Sequence, residues 1–520
     1  MSLAYGLRQP CDGEPVGGSC EPCAESTRRW VLIMSVLGSS LAFIEGSIVN
    51  LALPALQADL ELDSVGLQWV VNAYLLALSS LVLVGGAAGD RFGIHQIFVL
   101  GLVLFGLSSG ACGLVNDPRW LIAWRAAQGA GSALLVPTSL ALLNVHFDPE
   151  ERPRAIGIWA GASALTTALG PLLGGALVDH IGWRAIFLVM LPLTALTCTM
   201  ALAKVPGRSG DAGRRLDLLG ALLLVAALGP LTLVLASIGS GDNQTAALLI
   251  GLVALAGFLV YESQTAEPML PIRLFREPTF GGANAMTVLL YFALGGALYF
   301  VPFNLIQVQG YSALQAGLAF LPLTLLLGIG SVVAGEQLKR RSPRRLLTAG
   351  AGLTGVGFAL LAIPATTSSY LAHWLPGIAT IGVGMTLCVA PLTTVIMTAV
   401  EESQSGVASG INNLAARMAG LLAIAALTSL AVYWFRGELN QALGTLPLSD
   451  DSRAQLLARA HELAGIRPTS VDDDTVALRE AIQESYVAVF RQLMFLCAGL
   501  AATAALIAWS TIRQGPPQPS

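Results

Sequence analysis

Apolar residues fall in runs of about twenty along nearly the whole chain, each run ended by charges, Pro/Gly clusters or polar turns. A helix needs roughly 20 apolar residues to cross the hydrocarbon core of a bilayer. Stretches of that kind can be delimited at Trp30 to Leu53, Leu67 to Gly89, Gln96 to Val115, Trp120 to Leu143, Ala155 to Val178, Ala185 to Ala203 and Leu218 to Ile238. They continue at Thr245 to Tyr261, Phe280 to Val301, Ala316 to Gly335, Leu346 to Pro364, Trp374 to Val400, Gly406 to Phe435 and Val487 to Ile512, fourteen in all. Only helices and closed barrels satisfy their backbone groups in lipid. Uninterrupted apolar runs therefore predict an all-α polytopic membrane protein with 14 transmembrane helices.

The polar segments organise these spans. Residues 1–29 form a polar tail that ends in Arg28-Arg29. The run that follows is too long for a signal-peptide core and has no small-residue cleavage site, so it is expected to stay as an uncleaved first span. Arginine and lysine concentrate on the side that carries this tail, most densely at Lys339, Arg340, Arg341, Arg344 and Arg345. Positive residues stay on the cytoplasmic side, so both termini, including the tail at 513–520, are expected there. The remaining division is a six-span bundle at 30–204, two extra spans with linkers at 205–279, and a second six-span bundle at 280–512. The second bundle carries an external loop at 436–484, where Ser452 to Gly465 has the apolar stripe of a short amphipathic helix. Nine acidic residues in that loop suit either a cation-gathering mouth or a solvated surface.

Composition sharpens the class. The chain has 520 residues, 54% hydrophobic and only 12% charged, with a net charge of -4 and a mean hydropathy of +0.69. That excludes an ordinary soluble domain, and the balance of charge gives nucleic acid nothing to bind. Cys11, Cys20 and Cys23 sit in the tail on the reducing side, so disulfides are not expected. Three thiols without a fourth ligand nearby are a weak signal for a metal site, and none is expected.

Sorted by depth, all basic residues lie outside spans or at a span's lip except Arg125 and Arg417, and among acidic residues Glu45 alone lies well inside one. Ionisable groups at such depth are costly and mark a pathway, a relay or a buried pair. At 1.5 Å per residue Glu45 lies ~24 Å from Arg29 and Arg125 ~8 Å inside the far end of its span, so the two fall at a common level. A pair there serves either as a proton site or as a plain lock between helices. Glu45 is the one deep proton carrier, because guanidinium does not titrate and all five histidines (His95, His146, His180, His373 and His461) lie in loops or at span edges.

Other chemistries lack their residues. The two lysines, Lys204 and Lys339, follow no glycine, which excludes a phosphate-cradling loop. Gly106-Leu-Ser-Ser-Gly110 matches the hydrolase elbow in letters, but it lies inside a span with no histidine at that depth to act as base. No enzyme is expected.

A faint internal repeat pairs Gly129-Ala-Gly131 and Pro137 with Gly382-Val-Gly384 and Pro391, which matches spans one to six with nine to fourteen. Parallel six-helix halves are the architecture of major facilitator transporters. Phe43-Ile-Glu45-Gly-Ser-Ile-Val-Asn50-Leu-Ala-Leu-Pro54, Gly86-Ala-Ala-Gly-Asp90-Arg91-Phe-Gly93, Arg125-Ala-Ala-Gln128-Gly129-Ala-Gly131 and Gly170-Pro171-Leu-Leu-Gly174-Gly175 stand in order along the first half. Trp183-Arg184 and Gly310-Tyr311-Ser-Ala-Leu-Gln315-Ala-Gly317 follow them. In these motifs the chain resembles the 14-span drug/proton antiporters of the major facilitator superfamily, the EmrB/QacA type. It departs from them in having Glu45 where aspartate is usual, Ile94-His95 where a basic pair follows Gly93, and Thr166 where glycine is usual.

The resemblance implies a secondary active exporter of amphiphilic drugs or toxic compounds, exchanging them for protons by alternating access in the bacterial inner membrane. It implies proton coupling at Glu45 with Arg125, a gating loop at Gly86, Asp90, Arg91 and Gly93, and an antiporter seal at Gly157, Gly170, Pro171, Gly174 and Gly175. Asn50, Tyr74, Trp159, Tyr291, Asn413 and Arg417 are candidates for the substrate cavity. Arg417 serves either the cavity wall or a substrate anion. The proton gradient is the energy source and no cofactor is expected; whether a periplasmic adaptor and an outer-membrane channel take part is left open. A dedicated exporter of one metabolite or antibiotic is the alternative, and a receptor or intramembrane enzyme a remote one.

Overall fold

A computed structural model describes residues 25–147, 151–205, 217–236, 244–265, 268, 270–338, 342–366, 368–400, 405–466 and 475–512. The described residues form helices and no strand. In chain order these are α1 (Glu25–Leu60), α2 (Ser64–Phe92), α3 (Ile94–Leu114), α4 (Pro118–His146), α5 (Arg152–His180), α6 (Ala185–Leu188), α7 (Met190–Lys204), α8 (Leu218–Ala236) and α9 (Thr245–Gln264). Then come α10 (Pro278–Phe303), α11 (Ala313–Ala319), α12 (Leu321–Leu338), α13 (Pro343–Leu361), α14 (Leu375–Thr398), α15 (Ser405–Leu443), α16 (Asp450–Ala458) and α17 (Thr475–Thr511).

Ten helical stretches among the described residues are long and apolar enough to cross a membrane. The predicted runs at 155–178, 218–238, 316–335 and 346–364 also lie on helices, α5, α8, α11 with α12, and α13, which are not among those ten. The polarity of the bundle is that of a membrane protein. On α3, Leu100, Val103, Leu107 and Leu114 stand exposed at helical spacing, whereas Ser108, Ser109, Glu45, Gln68, Asn72, Arg125 and Gln128 are buried. Lipid replaces water as the outer solvent, so apolar side chains gain nothing by turning inward and polar ones gather inside.

Helices α1–α7 pack among themselves, α10–α17 do the same, and α8 pairs with α9. Helix α8 leans on α2 and α15, where Leu224, Leu228, Phe258, Leu414 and Leu421 form a small apolar cluster. Small residues set the spacing. A Cβ on Gly129 would stand 2.3 Å from the Tyr74 carbonyl oxygen and one on Gly131 would stand 2.7 Å from the Phe105 backbone nitrogen, so α4 wedges between α2 and α3. Gly93, with φ 106°, makes the turn from α2 to α3 in a conformation that side-chain-bearing residues avoid.

We call the side holding the start of α1 the terminal face and the opposite side the loop face. On the loop face α15 and α17 run well past the predicted span ends, to Leu443 and from Thr475. The predicted helix at Ser452 to Gly465 is broken. Helix α16 stops at Ala458 and a 3-10 turn spans Ala460–Gly465, within which buried Leu463 takes φ 54°. A tight reversal brings this segment back over the bundle, where Gln57 Nε2 donates to the Glu462 carbonyl at 3.3 Å. Gln307, on the π turn that ends α10, donates to Gln57 Oε1 at 3.1 Å. The tail cysteines and the basic trio at 339–341 lie outside the described residues.

Candidate functional site

The spacing Arg125 to Gln128 puts both side chains on one face of α4, turned toward α1. Arg125 Nη1 donates to Glu45 Oε1 at 2.6 Å and to Gln128 Oε1 at 2.6 Å, and Arg125 Nε donates to the Val70 carbonyl at 2.9 Å. Both side chains of the ion pair are 0% exposed. Gln128 Nε2 donates to Ser109 Oγ at 3.0 Å and the Ser109 hydroxyl donates to the Phe187 carbonyl at 2.9 Å, so the relay ties α1, α2, α3, α4 and α6 to one charge. Glu45 Oε2 and Arg125 Nη2 are buried without a hydrogen-bond partner. A carboxylate held by one oxygen, with the other unsatisfied in a low-dielectric interior, is an arrangement in which gain or loss of a proton changes the local energy strongly.

Tyr74 does not line a cavity. It is buried, its hydroxyl donates to the Ala42 carbonyl at 2.8 Å and lies 3.0 Å from Ser132 Oγ, and the Arg125 guanidinium sits 4.5 Å from its ring centroid. Packing against Arg125 outweighs exposure because a desolvated cation gains more from a ring face than from lipid. Tyr74 thus belongs to the wall of the ion pair.

A second group gathers around Arg417 on α15. Its guanidinium stands 5.8 Å from the Phe43 ring of α1, Phe43 meets Trp159 of α5 edge-on at 6.4 Å, and Tyr291 is carried by α10, which packs against α15. Arg417, Trp159, Tyr291 and Asn50 are half-buried, and the Trp159 indole N–H and Asn50 Oδ1 have no hydrogen-bond partner. Asn413 is exposed; its neighbour Asn412 takes the hydrogen bond of the Thr287 hydroxyl at 2.6 Å. Helical phase decides between two adjacent asparagines, and sequence order alone does not.

The glycines of α5 meet the second half directly. A Cβ on Gly175 would lie 2.3 Å from the Ala313 carbonyl oxygen and one on Gly317 would lie 2.3 Å from that of Pro171. Gly170 and Gly174 face Ser47 and Ile48 of α1 in the same way. At the end of α5, Asp179 accepts from the backbone N–H groups of Ala313 at 3.0 Å and Leu314 at 2.7 Å. No sequence signal pointed to Asp179, whose partners are backbone. Trp183 Nε1 and Arg184 Nη1 both donate to Asp59 on α1, at 2.9 and 2.8 Å. In the gating-loop motif, a Cβ on Gly86 would lie 3.6 Å from Pro137 Cβ, and half-buried Arg91 stands 5.3 Å from the Phe92 ring centroid. The Asp90 side chain and the surroundings of Gly157 lie outside what is described.

The halves therefore meet on the loop face, which also carries a cavity of about 1170 Å³ lined by Gln57, Glu61, Asp179, Gln307, Arg459 and Glu462 among others. Substituting Gly175→Val is expected to pry α5 from α11 at a cost of about 1–3 kcal/mol, because the obstacle is backbone. Asp179→Ala, which removes hydrogen bonds at an exposed acid, should cost about 1 kcal/mol. Spin labels at exposed Ile181 and Leu318 should report a longer distance in both variants. An unchanged distance would show that these contacts do not hold the face shut.

Two helical bundles enclosing a buried ion pair define a membrane transporter. The Major Facilitator Superfamily model matches residues 35–424. The chain is 33% identical over 498 residues to the multidrug resistance protein Stp of Mycobacterium tuberculosis, covering 93% of this chain and 92% of that one. It is 31% identical to the tetracenomycin C resistance and export protein of Streptomyces glaucescens, covering 97% and 95%. Among solved structures, a bacterial homolog to the human lysosomal transporter Spinster, inward-facing and occupied, superposes with a TM-score of 0.67 at 17% identity, covering 96% and 98%. The chain belongs to the Major Facilitator Superfamily. It is a transporter of small molecules, not an enzyme.

Proposed function

We propose that this protein is a proton-coupled drug exporter of the inner membrane, with fourteen spans and both termini cytoplasmic, and that Glu45 with Arg125 forms its proton site. The observation that carries the proposal is the fully buried ion pair between α1 and α4, with its one unsatisfied carboxylate oxygen. Support for export comes from the relatives, named for multidrug resistance and for tetracenomycin C resistance and export. Support for fourteen spans comes from the helices at every predicted apolar run, and support for the orientation from the basic residues of the terminal face.

In this reading the loop face is external and the structure is closed to the outside. Protons reach Glu45 when that face opens, and the glycine-lined contact between α5 and α11 blocks passage without exchange. Asn50, Trp159, Tyr291, Asn413 and Arg417 line the substrate path. The proton gradient supplies the energy and no bound cofactor takes part.

Inverted vesicles from an efflux-deficient strain expressing the protein provide the test. Once an acid interior has been established, added substrate should drive protons out in proportion to its transport. A panel of compounds then separates the two export readings: response to many supports multidrug export, and response to one supports a dedicated exporter. Absence of any substrate-driven proton movement across the panel would overturn the proposal.

A further inference from the structure

Of the two deep arginines, Arg125 is neutralised by Glu45, whereas Arg417 has no ion-pair partner among the described residues. Counted over the deep charges Glu45, Arg125 and Arg417, the interior carries an excess positive charge. The other buried acid among the described residues, Glu262, lies near the terminal-face end of α9, accepts from the Leu270 backbone N–H at 2.9 Å, and belongs to the linker before α10. A guanidinium at mid-depth without a counter-ion is retained at a cost unless something it binds repays that cost.

The surroundings of Arg417 say what that is. The ring of Phe43 lies beneath its guanidinium, Trp159 meets Phe43 edge-on, and Tyr291 lies on the facing helix α10 of the other half. The donors here are the Arg417 N–H fork and the Trp159 indole N–H, which is buried without an acceptor, while the unpaired acceptor, Asn50 Oδ1, is neutral. Donors beside flat apolar faces complement a planar ring bearing an anionic oxygen group, and the fork geometry of guanidinium favours a carboxylate or sulfonate over a single acceptor. A cation would meet an excess of like charge with no free carboxylate to receive it.

We propose that Arg417, with Phe43, Trp159 and Tyr291, forms the substrate site, and that it takes planar aromatic anions: carboxylates, sulfonates or phenolates. The inference rests on the reading of the protein as an exporter and names its substrate class. The two halves each contribute a wall, Phe43 and Trp159 from one and Arg417 and Tyr291 from the other, so a bound ring spans the boundary that alternating access must rearrange.

The test uses the full chain in energised inverted vesicles and two matched pairs of probes. These are carboxyfluorescein against ethidium, and 2-naphthoate against 2-naphthyltrimethylammonium. The wild type should accumulate both anions in preference to both cations. Arg417→Gln should lower anion transport roughly 10- to 100-fold, the worth of a hydrogen bond to a charged group, and Arg417→Lys should recover part of it. Cation preference in the wild type, or anion transport indifferent to Arg417→Gln, would overturn the inference. Should the Gln variant fail to accumulate, the wild-type anion-to-cation ratio still decides. Substrate-driven proton release by cations or neutral compounds alone would leave the exporter reading standing and remove this one; no release by any compound would remove both.

Discussion

Glu45→Gln is expected to reduce substrate-driven proton release to the level of vesicles lacking the protein, while leaving downhill substrate counterflow measurable. The physical reason is that glutamine keeps the geometry and loses only the proton. Its side-chain oxygen still accepts from Arg125 Nη1, where Glu45 Oε1 accepts at 2.6 Å, so the tie between α1 and α4 survives. A carboxylate exchanging its proton is the one group at that depth able to count protons, since the guanidinium stays charged throughout the accessible pH range. Retained counterflow shows that the variant is folded and inserted. Undiminished proton release would remove Glu45 from the coupling step.

Arg125→Ala should have the largest effect on stability, a loss of about 3–5 kcal/mol, because it leaves a carboxylate buried without its counter-charge. The loss is compounded by the neighbours. Gln128 and the Val70 carbonyl lose their donor, and Tyr74 and Phe187 lose the cation that lies 4.5 and 5.7 Å from their ring centroids. Combining Arg125→Ala with Glu45→Gln should give back part of that stability, since the unpaired charge is gone, but none of the transport. Thermal unfolding in detergent of the two single variants and the double variant measures this as a coupling energy. Strict additivity would mean that the ion pair contributes nothing as a pair, and a double variant that still transports would reduce it to a lock between helices.

Much of this was legible along the chain, for reasons that can be stated residue by residue. The apolar runs could be delimited because lipid tolerates no unpaired backbone, so length and hydropathy are imposed locally. The meeting of Glu45 with Arg125 could be anticipated because rise per residue fixes depth. Gln128 could have joined them on spacing alone, being three residues beyond Arg125 on the same helix face. The opposite holds for Tyr74, an aromatic residue whose sequence does not say whether it faces substrate or a guanidinium. It holds also for Asn412 against Asn413, and for Asp179, whose partners are the backbone amides of Ala313 and Leu314. The break at Leu463 was not legible either, because leucine favours continuing a helix and adopts φ 54° only where surrounding packing holds it there.

The sequence by itself determined that the chain is a helical membrane protein with one deep carboxylate and two deep arginines, because burying charge in lipid is so costly that the few exceptions stand out from composition alone. Only the tertiary structure decided how those three charges divide. Arg125 is spent on Glu45 and Arg417 is left facing aromatic rings, since pairing depends on which helix faces turn toward one another, and that is set by glycine contacts between helices far apart in the chain.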